Sequence, residues 1–282
     1  AQGIDFKFNK DKPVGSVIWI DLSLPRGQAE FKELCRAKDC RVVYAHFAPP
    51  CGTASRACEI RIKGAADPKP LRSNEHPDGV PGLAGENLKR VSGANELYSF
   101  TAKAIVFLHE QKIAWSVENP TNSLMWRTSF FCDLATLEAQ GAFAHKEVVF
   151  HMCMHGGRRD KLSTFWYGQG LELADMGVRC DGSHPHPPWG RTKEPGTHFA
   201  TADERNYPDL LCRRIAKRVA KMVGADPPPK GGACVDKEHN HMQPRKGLNE
   251  LVPEFKEIVA VKGCTQVEME RITGWSKGRC GM

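Results

Sequence analysis

The chain has 282 residues, 40% apolar and 26% charged, enough apolar material for a sizeable core and too much for wholesale disorder. Forty Lys and Arg against thirty-three Asp and Glu leave a formal charge of +7, which suits a polyanionic partner without requiring one. No apolar run approaches the ~18 residues of a membrane span, and no secretory signal opens the sequence. Eleven cysteines, an odd number with no C-x-x-C pair, exclude a disulfide scaffold and predict an intracellular protein whose thiols are mostly small buried hydrophobes.

Residues 3–6 read as the end of a strand, and a chain opening on Ala1 is expected to be part of a larger polypeptide. Residues 16–21 form a second strand ending in Asp21, and Pro25 opens a helix with Phe31, Leu34 and Cys35 at helical spacing. The β-branched and aromatic run 41–48 is a third strand, stopped by Pro49-Pro50-Cys51-Gly52. Residues 63–93, rich in Pro and Gly, read as a long surface loop. Leu97, Phe100, Ala104, Phe107 and Leu108 then make a helical stripe over 95–110, and 112–117 is a strand ended by Glu118-Asn119-Pro120. A helix over 130–140 and strands over 147–152 and 164–167 follow. Residues 168–200 are an irregular insert, and 208–223 is an amphipathic helix with Arg213, Arg214, Lys217, Arg218 and Lys221 on its polar side. That stripe reads as a solvated face, with Arg213 and Arg214 candidates for contact with a phosphate backbone. The expected organisation is one α/β domain over 1–224 followed by a linker and weakly folded tail over 225–282.

Strands alternating with helices predict a doubly wound, mostly parallel sheet, whose ligands sit beyond the carboxyl ends of the strands. Asp5, Asp21, Cys51 and Glu118 all fall at such ends. Two prolines stiffen the loop that carries Cys51, and Gly52 allows another backbone to approach it closely, so the thiol is a candidate nucleophile. A carboxyl at the end of an apolar strand is partly desolvated, which favours its protonated form and lets Glu118 donate to a ring nitrogen.

The run Phe47-Ala48-Pro49-Pro50-Cys51-Gly52-Thr53-Ala54-Ser55, followed by a helix, a strand and Glu118-Asn119-Pro120, resembles the DNA (cytosine-5)-methyltransferase family. The resemblance implies a Rossmann-like sheet that binds S-adenosyl-L-methionine and a cytosine flipped out of duplex DNA. Cys51 would add to C6 of the ring and Glu118 would hold N3 and the exocyclic amine. C5 would then take the methyl group, and a base would remove the C5 proton as the thiol leaves. Asp5 is similar to the acid that binds the cofactor ribose, Asp21 to the one that meets the adenine amino group, and Pro50 would lie beside the cofactor. Gly157-Arg158-Arg159-Asp160-Lys161 resembles the family's basic motif, with Arg159 and Lys161 matching the pair that contacts the target base and its phosphate. No first strand or Gly-rich cofactor loop precedes Asp5, so a divergent, N-terminally truncated member is expected.

Two rival readings stand beside this one. The first is a catalytically inactive, nucleic-acid-binding relative within a larger mobile-element-type polyprotein. The second is a different thiol enzyme pairing Cys51 with His46 or His151. Cys180-x3-His184-x-His186 supplies three weak zinc candidates, to which His151 or Cys153 would add a fourth, and Cys234-x4-His239-x-His241 repeats the grammar. Neither group has paired C-x2-C and H-x3-H spacing, so no metal is assigned and the first reads as an ordered loop at the sheet edge.

Overall fold

The structure, a computed structural model, describes residues 3–5, 17–37, 41–59, 69–190, 200–204 and 206–225. The tail from 226 onward, with Cys234, His239 and His241, lies outside the described residues. The chain divides into two compact units, one of residues 1–44 with 219–282 and one of residues 45–218.

In the first unit β1 (Gly3–Asp5) and β2 (Val17–Trp19) pair in parallel, with Ile4 opposite Ile18 and Asp5 opposite Trp19. The pairing runs one step further, where the Ile20 N–H donates to the Asp5 carbonyl at 3.0 Å. Helix α1 (Pro25–Arg36) begins on a proline, whose missing N–H costs nothing in a first turn. Its Leu34 packs against Ile18 and Ile20, with Ile4 and Leu22 at the border. Gly27 lets the helix start sit directly on the strand end: a Cβ there would lie 2.0 Å from the Asp21 carbonyl oxygen. Asp5 and Asp21 thereby share the carboxyl edge of one parallel pair.

In the second unit β3 (Tyr44–Phe47), α2 (Gly85–Glu110), β4 (Ala114–Pro120), α3 (Ser129–Ala139), β5 (Lys146–His151) and β6 (Leu162–Gly168) follow one another. The strands lie side by side in the order β3-β4-β6-β5. His46 meets Ser116, and Asn119 meets Pro49; both pairs are 70 residues apart, so β3 and β4 advance in the same direction. β6 runs antiparallel to both its neighbours, with Glu118 opposite Phe165 and His151 opposite Leu162. The reversal makes two of this sheet's three pairings antiparallel, a departure from the mostly parallel sheet expected, and its cause is local. Residues 152–161 are too short a connection for the crossover that parallel neighbours need.

All of β4 is buried, as befits a central strand covered on both faces. It extends to Pro120, beyond the end expected at Val117, because Thr164 and Ser163 of β6 supply partners for Asn119 and Pro120. Helix α2 begins ten residues before the predicted start. Only Val91 and Ala94 pack inward from its first turns while Leu88, Lys89 and Arg90 are exposed, which hides the period. Further on, Tyr98, Thr101, Ile105 and Leu108 continue a buried seam at steps of three and four. The short α4 (Ala200–Asp203) and α5 (Asp209–Met222) complete the chain's described elements. No described helix is long and apolar enough to cross a membrane.

Candidate active site

The loop leaving β3 is fastened on several sides. Asn119 Nδ2 donates to the Pro49 carbonyl at 2.9 Å, tying the loop to the residue after Glu118. Tyr98 Oη, from the buried seam of α2, donates to the Pro50 carbonyl at 2.5 Å. Burial pushes the Tyr98 phenol up to about 12, which keeps it a donor. The Cys51 carbonyl accepts from the N–H groups of Ala54 and Ser55 at 3.0 and 2.8 Å, closing a turn, and the Ala54 carbonyl accepts from Leu124 just past β4. Arg72, 1% exposed, donates from Nε to Thr53 Oγ1 at 3.1 Å and lies over the Tyr98 ring at 5.2 Å. A rigid turn thus presents the half-buried Cys51 thiol. A Cβ at Gly52 would meet nothing within 4 Å, so no described backbone makes the close approach expected of this glycine.

Glu118 sits within β4, 5% exposed, at the centre of a polar cluster. Ser163 Oγ, on the facing strand β6, donates to Oε1 at 2.6 Å, and Lys161 Nζ lies 3.3 Å from the same oxygen. Tyr207 Oη reaches Oε2 at 3.1 Å and His46 Nε2 at 3.0 Å, while His46 Nδ1 meets Ser116 Oγ at 2.8 Å. Tyr207 has a single proton, and the charged acceptor takes it. His46 then donates from Nε2 to the phenol oxygen and accepts from Ser116 at Nδ1, a tautomer assigned from the network.

Burial pushes the pKa of His46 down to about 4 against the opposing charge of Glu118. A histidine so lowered binds fewer protons folded than unfolded, so its contribution to stability is full above the unfolded value and drains away as pH falls toward 4. The wild-type chain is expected to lose about 2 kcal/mol of unfolding free energy at this site between about pH 7.5 and pH 5. Urea titrations at the two pH values check this: in His46→Asn the difference should shrink by that amount, and an unchanged difference refutes it.

Lys161 joins Glu118, but Arg159 is 4% exposed and engaged internally. Its Nη1 pairs with Glu204 Oε1 at 2.9 Å, its Nε reaches the Pro188 carbonyl at 3.4 Å, and its guanidinium lies over Trp189 at 5.7 Å. It braces the irregular insert. Pro50 stands in the pinned loop, whereas Asp5 and Asp21 belong to the other unit. Asp21 Oδ1 accepts from the N–H and hydroxyl of Ser23 at 2.9 and 2.5 Å. His46 has both ring nitrogens in the Glu118 cluster, and His151 accepts the Cys180 N–H at Nδ1. Neither is drawn into a Cys51–His pair by these contacts. Cys180, His184 and His186 gather with Cys153 rather than His151.

Arg214 donates to the Met154 carbonyl at 2.9 Å and Arg218 from Nε to Asp175 at 3.0 Å, so part of the basic stripe on α5 is used in packing. The thiols are less uniformly buried than composition predicts. Burial pushes Cys35 up to about 12, but Cys132 and Cys212 are exposed. Sequence reasoning missed Arg72, Tyr98 and Tyr207. Of these only Tyr98 carried a signal, its place on the buried seam of α2. Compared with known proteins, the chain matches no family model, no curated protein and no solved structure.

Proposed function

We propose that this chain is a DNA cytosine-5 methyltransferase-like domain with a Rossmann-like, doubly wound sheet, acting on a cytosine flipped from duplex DNA. One observation carries the reading. The loop bearing Cys51 is bonded through Pro49 to Asn119, the neighbour of Glu118, on adjacent strands running the same way. A thiol and a carboxyl are thereby brought to the same end of one sheet, where a doubly wound fold takes its ligands.

The chemistry follows from that pairing. C5 of cytosine is a poor nucleophile until the Cys51 sulfur adds to C6, which moves the C5–C6 π electrons onto C5. Glu118 accepts from the exocyclic amine and holds a proton at N3, making the ring electron-poor enough for that addition. The Lys161 ammonium, 3.3 Å from the carboxylate, is the charged donor that can hand Glu118 this proton. Ser163 and Tyr207 fix the direction of the carboxylate. S-adenosyl-L-methionine, when bound, supplies the electrophilic methyl group. By the resemblance, Asp5 and Asp21, which share the carboxyl edge of the parallel pair in their own unit, would be the acceptors for its ribose hydroxyls and adenine amine. Duplex DNA as partner places the protein in the nucleus of a eukaryote and in the cytoplasm otherwise.

The test is trapping. With S-adenosyl-L-methionine and duplex DNA carrying 5-fluorocytosine, a covalent protein–DNA adduct stable to denaturation is expected, and Cys51→Ala should lower its yield by about 10³-fold or more. Duplex binding without an adduct would favour the inactive relative instead. An adduct that survives Cys51→Ala would overturn the assignment of the nucleophile.

A further inference from the structure

We propose that Cys153, Cys180, His184 and His186 form a tetrahedral, structural zinc site that fastens the irregular segment 178–190 to the end of β5. The four candidate ligand atoms all lie within 4.8 Å of one another. Cys180 Sγ is 3.9 Å from His184 Nε2 and 3.7 Å from His186 Nε2, and the two Nε2 atoms are 3.0 Å apart. Zinc with Zn–S near 2.3 Å and Zn–N near 2.05 Å at tetrahedral angles requires edges of about 3.6 Å for S···N, 3.3 Å for N···N and 3.8 Å for S···S. The observed S···N edges are slightly longer and the N···N edge slightly shorter than these values. Four protein ligands close the coordination shell, which marks a structural rather than a catalytic site.

The surroundings are built for it. Cys153 stands on a 3-10 turn, Met152–His155, that Gly156 closes in the left-handed region at φ +88°. Arg214 holds that turn through the Met154 carbonyl and His155 Nδ1, both at 2.9 Å, and the buried His155 reaches the Met176 carbonyl with Nε2 at 2.9 Å. On the other side, the Cys180 N–H donates to His151 Nδ1 at 2.9 Å and the His151 N–H to the Val178 carbonyl at 3.0 Å. His151 therefore orients a ligand instead of being one. The Gly182 N–H lies 3.3 Å from Cys180 Sγ, a contact that suits a metal-bound thiolate. Pro185 and Pro187-Pro188 stiffen the run that presents the two imidazoles. The segment so held carries Pro188 and Trp189, which pack around Arg159. Of the two fourth ligands that the sequence offered, His151 and Cys153, it is Cys153 that joins the group.

Metal analysis of the full chain, purified reduced from zinc-supplemented cells, tests the site. About one zinc per chain is expected, and Cys180→Ser and His186→Ala should each hold less than about a tenth of it. Cys153→His, which keeps four ligands, should retain the metal. Cobalt exchanged into the wild type should give the intense visible bands of a tetrahedral dithiolate site, weakened in thiolate charge transfer by Cys153→His. The double variant Cys234→Ser/His239→Ala should keep its zinc. A wild-type chain that holds no zinc and gives only the pale spectrum of octahedral cobalt would overturn the proposal. So would zinc content indifferent to Cys180→Ser, or zinc lost with Cys234 and His239.

Discussion

Replacing Glu118 by Gln is expected to slow adduct formation on 5-fluorocytosine DNA by about 10²- to 10⁴-fold, the range of a lost general acid. The amide keeps the shape of the side chain, but only its oxygen can accept, from Ser163 or from Tyr207, and it can neither carry the proton for N3 nor balance Lys161. Lys161 is largely buried, with its side chain 14% exposed. Losing its partner leaves an uncompensated charge, and breaking such a pair costs about 3–5 kcal/mol. A loss of activity could therefore come from chemistry or from misfolding, and the double variant Glu118→Gln/Lys161→Met separates the two. Removing both charges should restore the denaturation midpoint while leaving the trapping rate low. If stability and trapping recover together, Glu118 acts as a structural ion-pair partner and the mechanism above fails. If Glu118→Gln traps within tenfold of wild type, the same conclusion holds without the double variant.

Much of this arrangement was legible in the sequence because short strands announce themselves by their ends. Pro49-Pro50-Cys51 stops β3, and Glu118-Asn119-Pro120 closes β4. The phases of α1 and α5 were visible as apolar spacings, and the start of α1 and the bounds of α3 and α5 fall within a residue or two of those expected. Three things were hidden. The reversal of β6 depends on the reach of the 152–161 connection, which no periodicity encodes. The first turns of α2 are polar and contain Gly85 and Gly93, so their helicity is imposed by the seam that follows. The partners of Glu118 come from distant segments: His46 precedes it by about seventy residues, and Tyr207 follows it by 89. Pattern reading works along the chain, whereas a buried polar cluster is assembled across it. Arg159 shows the converse. Its motif was legible but its environment was not, and the structure surrounds it with Glu204, Pro188 and Trp189.

Arg72 carries the second large effect. It lies in the stretch that composition marks as surface loop, yet it is 1% exposed. Its Nη1 donates to the Pro77 carbonyl at 2.7 Å and its Nη2 to the Val91 carbonyl at 3.4 Å, while Nε holds Thr53 and the guanidinium covers Tyr98. Because Tyr98 bonds the Pro50 carbonyl, one buried cation braces the chain on both sides of Cys51. Arg72→Met fills similar volume but leaves Thr53 and two carbonyls to find new partners, and is expected to cost about 2–4 kcal/mol of stability in urea unfolding. Arg72→Lys should recover little of this, since an ammonium cannot reproduce a planar fork that serves three acceptors and one ring. A purely structural role would stop there. Positioning of the thiol predicts more: well below the unfolding transition, where Arg72→Met is fully folded, trapping should still be slowed more than about tenfold because the turn no longer holds Cys51 in one geometry. The alkylation of Cys51 by iodoacetamide gives a readout without DNA, and in the variant its rate should move toward that of an unstructured thiol. Trapping and alkylation at wild-type rates in the folded variant would confine Arg72 to stability and leave the prolines and the bonds from Asn119 and Tyr98 to hold the loop.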